Sequence, residues 1–197
     1  MHLSKKSLSV ILLYQIQSLI VAFLFLNAAL SESSLIAIFV AVIMFTVKVL
    51  VAPFFFRRLT REFHLTFSAS TYLNGPLTFV VLAGLTAFTY SHFFAPITML
   101  APANAPALLL SVAMMFISLF LIVNRKGALS QMIGILSLEN AIVVFALFVG
   151  LEQSPMLELG VLFDIFVWVI IATVFVSMIY KQFGSLDVTA MKHLKEE

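Results

Sequence analysis

The chain has 197 residues, of which 62% are hydrophobic and only 10% charged, with a mean hydropathy of +1.15 and a formal charge of +2. Soluble domains are about 45–50% apolar and about 25% charged, so this composition excludes a water-clothed globule and makes the lipid bilayer its solvent. The small net charge gives no reason to expect nucleic acid, and the lack of cysteine excludes disulfides, thiolate zinc sites and cysteine-ligated iron–sulfur clusters from these residues.

Six apolar segments follow one another, near Ser7–Ala29, Ser34–Phe56, Gly75–Tyr90, Ala107–Val123, Met132–Leu151 and Met156–Tyr180. A helix needs about 20 residues to cross a hydrocarbon core about 30 Å thick. Barrel strands would show as alternating segments of about ten residues, and none is seen. The fold class expected is therefore all-α: a polytopic integral membrane protein with six transmembrane helices over residues 1–181 and a solvated tail over 182–197. The first segment begins behind Lys5 and Lys6 like a secretory signal, but its apolar run is longer than a signal's and no A-x-A site follows. It is expected to stay as a membrane helix. In the second, Pro53 in "KVLVAPFFF" leaves the Val49 carbonyl without its helical donor, and the neighbouring Lys48 ammonium is one group that could serve it. After the third segment, Pro96, Pro102 and Pro106 are expected to break any helix between Ser91 and Pro106, and the apolar "FFAPITML" to lie at the interface or against a partner. No internal repeat is evident.

The basic residues sort cleanly. Lys5 and Lys6 precede the first segment; Arg57, Arg58 and Arg61 follow the second; Arg125 and Lys126 follow the fourth; Lys181, Lys192 and Lys195 follow the sixth. With six crossings all ten fall on one side, which by the positive-inside rule puts both termini in the cytoplasm. The eleventh, Lys48, belongs to neither side.

Lys48, Glu139, Glu158 and Asp164 lie within the expected spans. A charge at a helix centre costs about 2.5–3.5 kcal/mol on insertion scales, so such residues pair, face the bundle interior or line a polar path. Glu139 is eight residues past Gln131 and Asp164 eight past Met156, about 12 Å from opposite surfaces. Lys48, nine residues before Arg57, lies about 13–14 Å deep, although its long stem could let it snorkel in part. These three are expected to cluster near the midplane. Glu158 begins the sixth segment near the outer surface, where it can favour the positive end of the helix. Gln15, Gln17, Asn27 and Asn140 fit the polar glue of helix–helix contacts. Burial disfavours the ionised form of any such group, and a line of them with water between can pass protons along. The plainer account is a set of static ion pairs. The four histidines (His2, His64, His92, His193) lie far apart, and no nucleotide-binding or metalloprotease motif is found; no metal and no cofactor is expected.

Taken together, "SLENAIVVFALF", "ELGVLFDIFVWVII" and "FGSLDVTAMKHL" resemble the hydrogenase-4 component E family, membrane subunits of formate-hydrogenlyase-like and complex-I-like hydrogenases. The family pattern is L-x-E-N, then E-hydrophobic-G with an aspartate six residues after the glutamate, then G-[ST]-L-D-V. Here it falls on Glu139 and Asn140, on Glu158, Gly160 and Asp164, and on Gly184 to Val188. Gln17 and the Lys48/Pro53 pair match earlier family helices. Family members commonly carry a further hydrophobic helix ahead of the one starting here at Ser7, and this chain is expected either to lack it or to start late. The family's last helices are similar to the K-type subunit of complex I, which places carboxylates on adjacent helices. The resemblance implies Glu139 and Asp164 as protonatable carriers and Lys48 as their partner or a third carrier. It leaves Glu158 at the outer end, and Asn140 and Gln17 as polar support. The implied protein is a non-catalytic, multi-pass subunit in a bacterial or archaeal cytoplasmic membrane. Its expected neighbours are antiporter-like and hydrogenase- or quinone-proximal subunits. A structural scaffold and a stand-alone transporter are the alternatives.

Overall fold

Within lipid, every backbone N–H and C=O must find its partner inside its own segment, and the described chain answers with helices throughout. The computed structural model describes residues 5–31, 35–62 and 71–150, and beyond them residues 166, 169, 170, 173, 174, 176, 177, 180 and 181. Helices α1 (Lys5–Ser31), α2 (Leu35–Phe45), α3 (Ala52–Glu62), α4 (Gly75–Thr89), α5 (Ala95–Thr98), α6 (Ala105–Asn124) and α7 (Ala128–Val149) follow in order. A π-helical turn, Thr46–Val51, joins α2 to α3. The described positions from 166 to 181 are helical too. Most of the expected sixth span, Glu158 and Asp164 with it, and the tail 182–197 lie outside the described residues.

Among the described residues, four stretches are long and apolar enough to cross a membrane: Ser9–Ser31, Leu35–Arg58, Pro102–Asn124 and Leu129–Val149. The chain is a membrane protein with transmembrane helices. The expected third span is different in kind. α4 has 15 residues, about 22 Å at 1.5 Å per residue, too short alone for a core of about 30 Å. Only together with His92–Thr98, across a bend of 48°, is it long enough to cross. The prolines do not simply abolish helix here. Pro96, Pro102 and Pro106 each stand in the first turn of a short helical piece or of α6, where a missing N–H leaves nothing unsatisfied. "FFAPITML" is folded back in part: the Phe94 ring meets those of Phe88 and Phe116 edge-on at 5.1 and 5.8 Å.

Helix ends overrun the apolar segments. α3 continues to Glu62 and α7 starts at Ala128, because hydropathy marks the hydrocarbon while the helical ladder continues into the interface. α7 stops at Gly150, whose φ of 85° is open to glycine at little cost.

α1 shows how a helix that is apolar all round chooses its inside. Among the described residues its buried side chains are Ile11, Tyr14, Ser18, Val21, Ala22, Phe25 and Ala29, one stripe at helical spacing. The opposite stripe carries Leu13, Ile16, Ile20 and Phe23, all exposed on the bundle surface. The buried stripe meets α2 and α7 through one core cluster that includes Val21, Phe25, Val40, Met44, Val143 and Val144. A second cluster joins Ile11, Tyr14, Phe56 and Leu136 with Val169 and Val176. α1 therefore runs parallel to α7 and antiparallel to the α2–α3 helix.

Among the described residues, α6 and α7 share the most extensive contact. At their contact Gly134 faces Ile122. Asn104 Nδ2 donates to the Phe148 carbonyl at one end. At the other, buried Asn124 accepts from Tyr72 N at its carbonyl and from Leu73 N at Oδ1, and its Nδ2 donates to Thr78 Oγ1. These bonds tie the start of α4 to the end of α6. The stretch from Gly75 to Asn104 thus runs from one end of the bundle to the other. Arg57, Arg58, Arg125 and Lys126 all stand at the end where α1 begins.

A Cβ at position 134 would lie 2.7 Å from Ile122 Cγ1. Gly134→Ala should therefore lower stability by about 1–3 kcal/mol, the usual cost of overpacking. Thermal denaturation in detergent checks this, and Ile122→Ala in the Gly134→Ala background should restore much of the loss.

Candidate functional site

Three helices each lend a polar group to one point in the bundle. Lys48 sits 13 residues after Leu35 and 10 before Arg58, the limits of its span; Glu139 sits 10 residues from both Leu129 and Val149; Ser18 sits 9 after Ser9 and 13 before Ser31. All are therefore at least about 13 Å from either end of their spans.

Lys48 has no exposed side-chain surface, and Glu139 has 19%. Snorkelling is thus corrected: the ammonium turns inward. Its Nζ donates to Asn140 Oδ1 at 2.9 Å and lies 3.5 Å from Glu139 Oε1. Asn140, also fully buried, donates from Nδ2 to Ser18 Oγ at 2.9 Å. That second bond fixes which way the amide faces, leaving its oxygen for the lysine. A neutral group is the ammonium's nearer partner and the carboxylate the farther one.

The π-turn explains how Lys48 comes to point inside. Pro53 cannot donate to Val49 four residues back, and the helix opens there, with Ala52 N donating to the Val47 carbonyl instead. One wide turn lets two adjacent residues, Lys48 and Val49, both be buried. Such turns arise where the i→i−4 ladder is broken. The Val49 carbonyl does find a partner, but it is not Lys48. Gln15 Nε2 donates to it at 3.0 Å, while Arg57 donates to Gln15 Oε1 at 2.9 Å. The expectation that the ammonium serves this carbonyl is replaced: a side-chain amide from α1 serves it and leaves the lysine free for α7.

Gln17 reaches α7 as well, with Nε2 at 3.5 Å from the Ser137 carbonyl, a long contact. Asn27 is exposed on the bundle surface. Tyr14, one turn before Ser18, is 2% exposed. Its hydroxyl is buried and meets no partner at hydrogen-bonding geometry. Glu158 and Asp164 lie outside the described residues.

Of the residues singled out in the sequence, Lys48, Glu139 and Asn140 come together, with Gln17 close by on α1. Ser18, Gln15 in its role at the π-turn, and Tyr14 were missed. A helical-spacing count on α1 could have found them: Tyr14, Ser18 and Val21 share one face, and polar groups on it must meet something polar. Among the described residues no three His, Cys, Asp or Glu side chains stand together as metal ligands.

No family model matches this chain, and no solved structure matches it. It is similar to an uncharacterized protein of Mycobacterium tuberculosis (strain ATCC 25618 / H37Rv), 27% identical over 168 residues that make up 84% of this chain and 75% of that protein.

Asn140→Leu takes away the neutral acceptor and leaves the ammonium leaning on Glu139. It should destabilise the chain by about 1–3 kcal/mol, the cost of an unmet buried polar group. In the Lys48→Met background the same change should cost much less. A double-mutant cycle on thermal stability in detergent should give a coupling of about 1–3 kcal/mol between the two positions; strict additivity would contradict the geometry.

Proposed function

We propose that this chain is a membrane subunit of a respiratory hydrogenase-4-like or complex-I-like assembly, and that it contributes protonatable residues to a proton or ion path. The reading rests on one observation above all. A lysine with no exposed surface lies 3.5 Å from a glutamate in the middle of the bundle, and both are residues that the sequence resemblance marks out. An unpaired charge there would be expensive, so the two groups must shield each other, and a carboxylate held this way can exchange a proton at modest cost if its partner stays in place. Asp164 is the second carrier in this reading, Lys48 the partner or a third carrier, and Glu158 an outer-end group.

Orientation follows from the basic residues. Arg57, Arg58, Arg125 and Lys126 share one end of the bundle, so in this reading that end faces the cytoplasm, of a bacterium or archaeon as the resemblance implies. With a sixth crossing over Met156–Tyr180, both termini are there. Partners would be antiporter-like and hydrogenase- or quinone-proximal membrane subunits. A scaffold with a static ion pair is the second reading. The Lys48–Asn140 bond is what such a scaffold would use, since it holds the lysine whatever the charge of Glu139.

Two measurements test the proposal. Tagged full-length chain from its native membranes should copurify with a hydrogenase-like large subunit and antiporter-like subunits; recovery as a homo-oligomer alone would refute it. Glu139→Gln, nearly isosteric, should leave the amount of assembled complex unchanged. Hydrogen-driven acidification of inverted membrane vesicles should meanwhile fall about ten-fold or more, at the low end of what positioned proton transfer contributes. Unchanged acidification would favour the scaffold.

A further inference from the structure

The two halves of the bundle on either side of the Lys48–Glu139 pair are not alike. Toward the end that lacks basic residues, the described side chains between α1, α2 and α7 are apolar: Val21, Phe25, Val40, Met44, Val143 and Val144 form one packed cluster. Toward the basic end the core cluster continues, but a polar line runs along it. Arg57 is exposed at the surface and donates to Gln15 Oε1, and half-buried Gln15 donates to the Val49 carbonyl, one residue from Lys48. Beside Gln15 on the same helix stands Tyr14, one turn before Ser18, whose buried hydroxyl meets no partner at hydrogen-bonding geometry. A buried hydroxyl without a partner costs about 1–3 kcal/mol. A fold keeps one when something polar reaches it, and water reaching a polar, buried group is the ordinary case.

We propose that the charged pair is open to water and protons from the basic end only, by a route past Gln15 and Tyr14 that stops at Ser18. This rests on the reading of the pair as a protonatable site, and it adds the side from which the site is loaded. In this route Gln15 holds water by its amide without changing charge. The Tyr14 hydroxyl accepts a proton at its oxygen as it releases its own toward Glu139, so its charge is also unchanged. Glu139 is the group that gains the proton. Beyond Ser18 the valine and phenylalanine cluster offers a proton no acceptor.

The absence of cysteine from the chain makes single-cysteine labelling a direct test. Gln15→Cys, Ser18→Cys and Val21→Cys would be placed in oriented membrane vesicles and treated with a membrane-impermeant charged thiol reagent on one side at a time. Ser18→Cys is nearly isosteric and covers the case in which Gln15→Cys fails to fold. Cysteine at 15 or 18 should react from the basic side about ten-fold or more faster than from the other, since access and thiolate formation both fall in apolar surroundings. Cysteine at 21 should react from neither side until the protein is denatured. Labelling of position 18 or 21 from the opposite side would overturn the proposal, as would no labelling of 15 and 18 from the basic side. Tyr14→Phe adds a readout for the route itself. It should leave thermal stability unchanged or slightly raised and slow vesicle acidification several-fold; an unchanged rate would remove Tyr14 from the path. Labelling does not depend on pumping, so Glu139→Gln can fail as a pumping mutant while the access pattern still holds, and the reverse.

Discussion

A buried ammonium has three N–H donors to satisfy away from bulk solvent, and the middle of this bundle is arranged around that demand. Lys48 could not be met by its own helix, because every carbonyl of a regular helix is already used. Pro53 changes this locally by withdrawing one donor and opening a π-turn. The turn swings Lys48 inward but exposes a second problem, the carbonyl of Val49. α1 solves that one with Gln15, and α7 solves the first with Asn140 and Glu139. Neither neighbour could be removed without leaving a polar group stranded in hydrocarbon, so the charge fixes the registers of three helices at once.

The outer and inner faces of these helices are otherwise chemically alike. Leu13 and Phe23 look out while Ile11 and Phe25 look in. Without a hydrophobic difference between lipid and core, association must come from close packing and a few hydrogen bonds. The buried polar residues fit that account. Asn124 ties α4 to α6, Asn140 ties α7 to α1 and α2, and Gly134 lets α7 approach Ile122 on α6. α4, in contrast, is exposed along most of its length.

Much of this was legible from residue order alone, for a definite reason. A helix rises a fixed distance per residue, so counting from Arg57 and from Gln131 puts Lys48 and Glu139 at similar depth, and they are in contact. Depth says nothing about direction, however. Adjacent residues on a helix point about 100° apart, so counting could not tell that Asn140 rather than Glu139 would be the lysine's nearer partner. Nor could it tell that the carbonyl freed by Pro53 would go to Gln15, because that depends on how α1 is rotated against α2. The proline-rich stretch after α4 was misjudged for another reason: prolines break a helix from within but begin one readily, and the sequence does not mark which role each will take.

The neutral tether has a consequence for what the pair can do. Were Glu139 the sole partner of Lys48, neutralising the carboxylate would strand a buried cation, and breaking a buried pair from one side costs about 3–5 kcal/mol. Proton uptake at Glu139 would then carry that penalty, and the pair would behave as a lock. With Asn140 at 2.9 Å and the carboxylate at 3.5 Å, the ammonium keeps its shorter bond when the glutamate loses its charge. Ser18 holds the amide in the orientation that makes this possible. The same four groups that make the site stable are therefore the ones that lower the cost of changing its charge. A protonatable function and a well-built core are not competing descriptions of this site: the hydrogen bond that a scaffold would use to hold the lysine is also what frees the carboxylate to titrate.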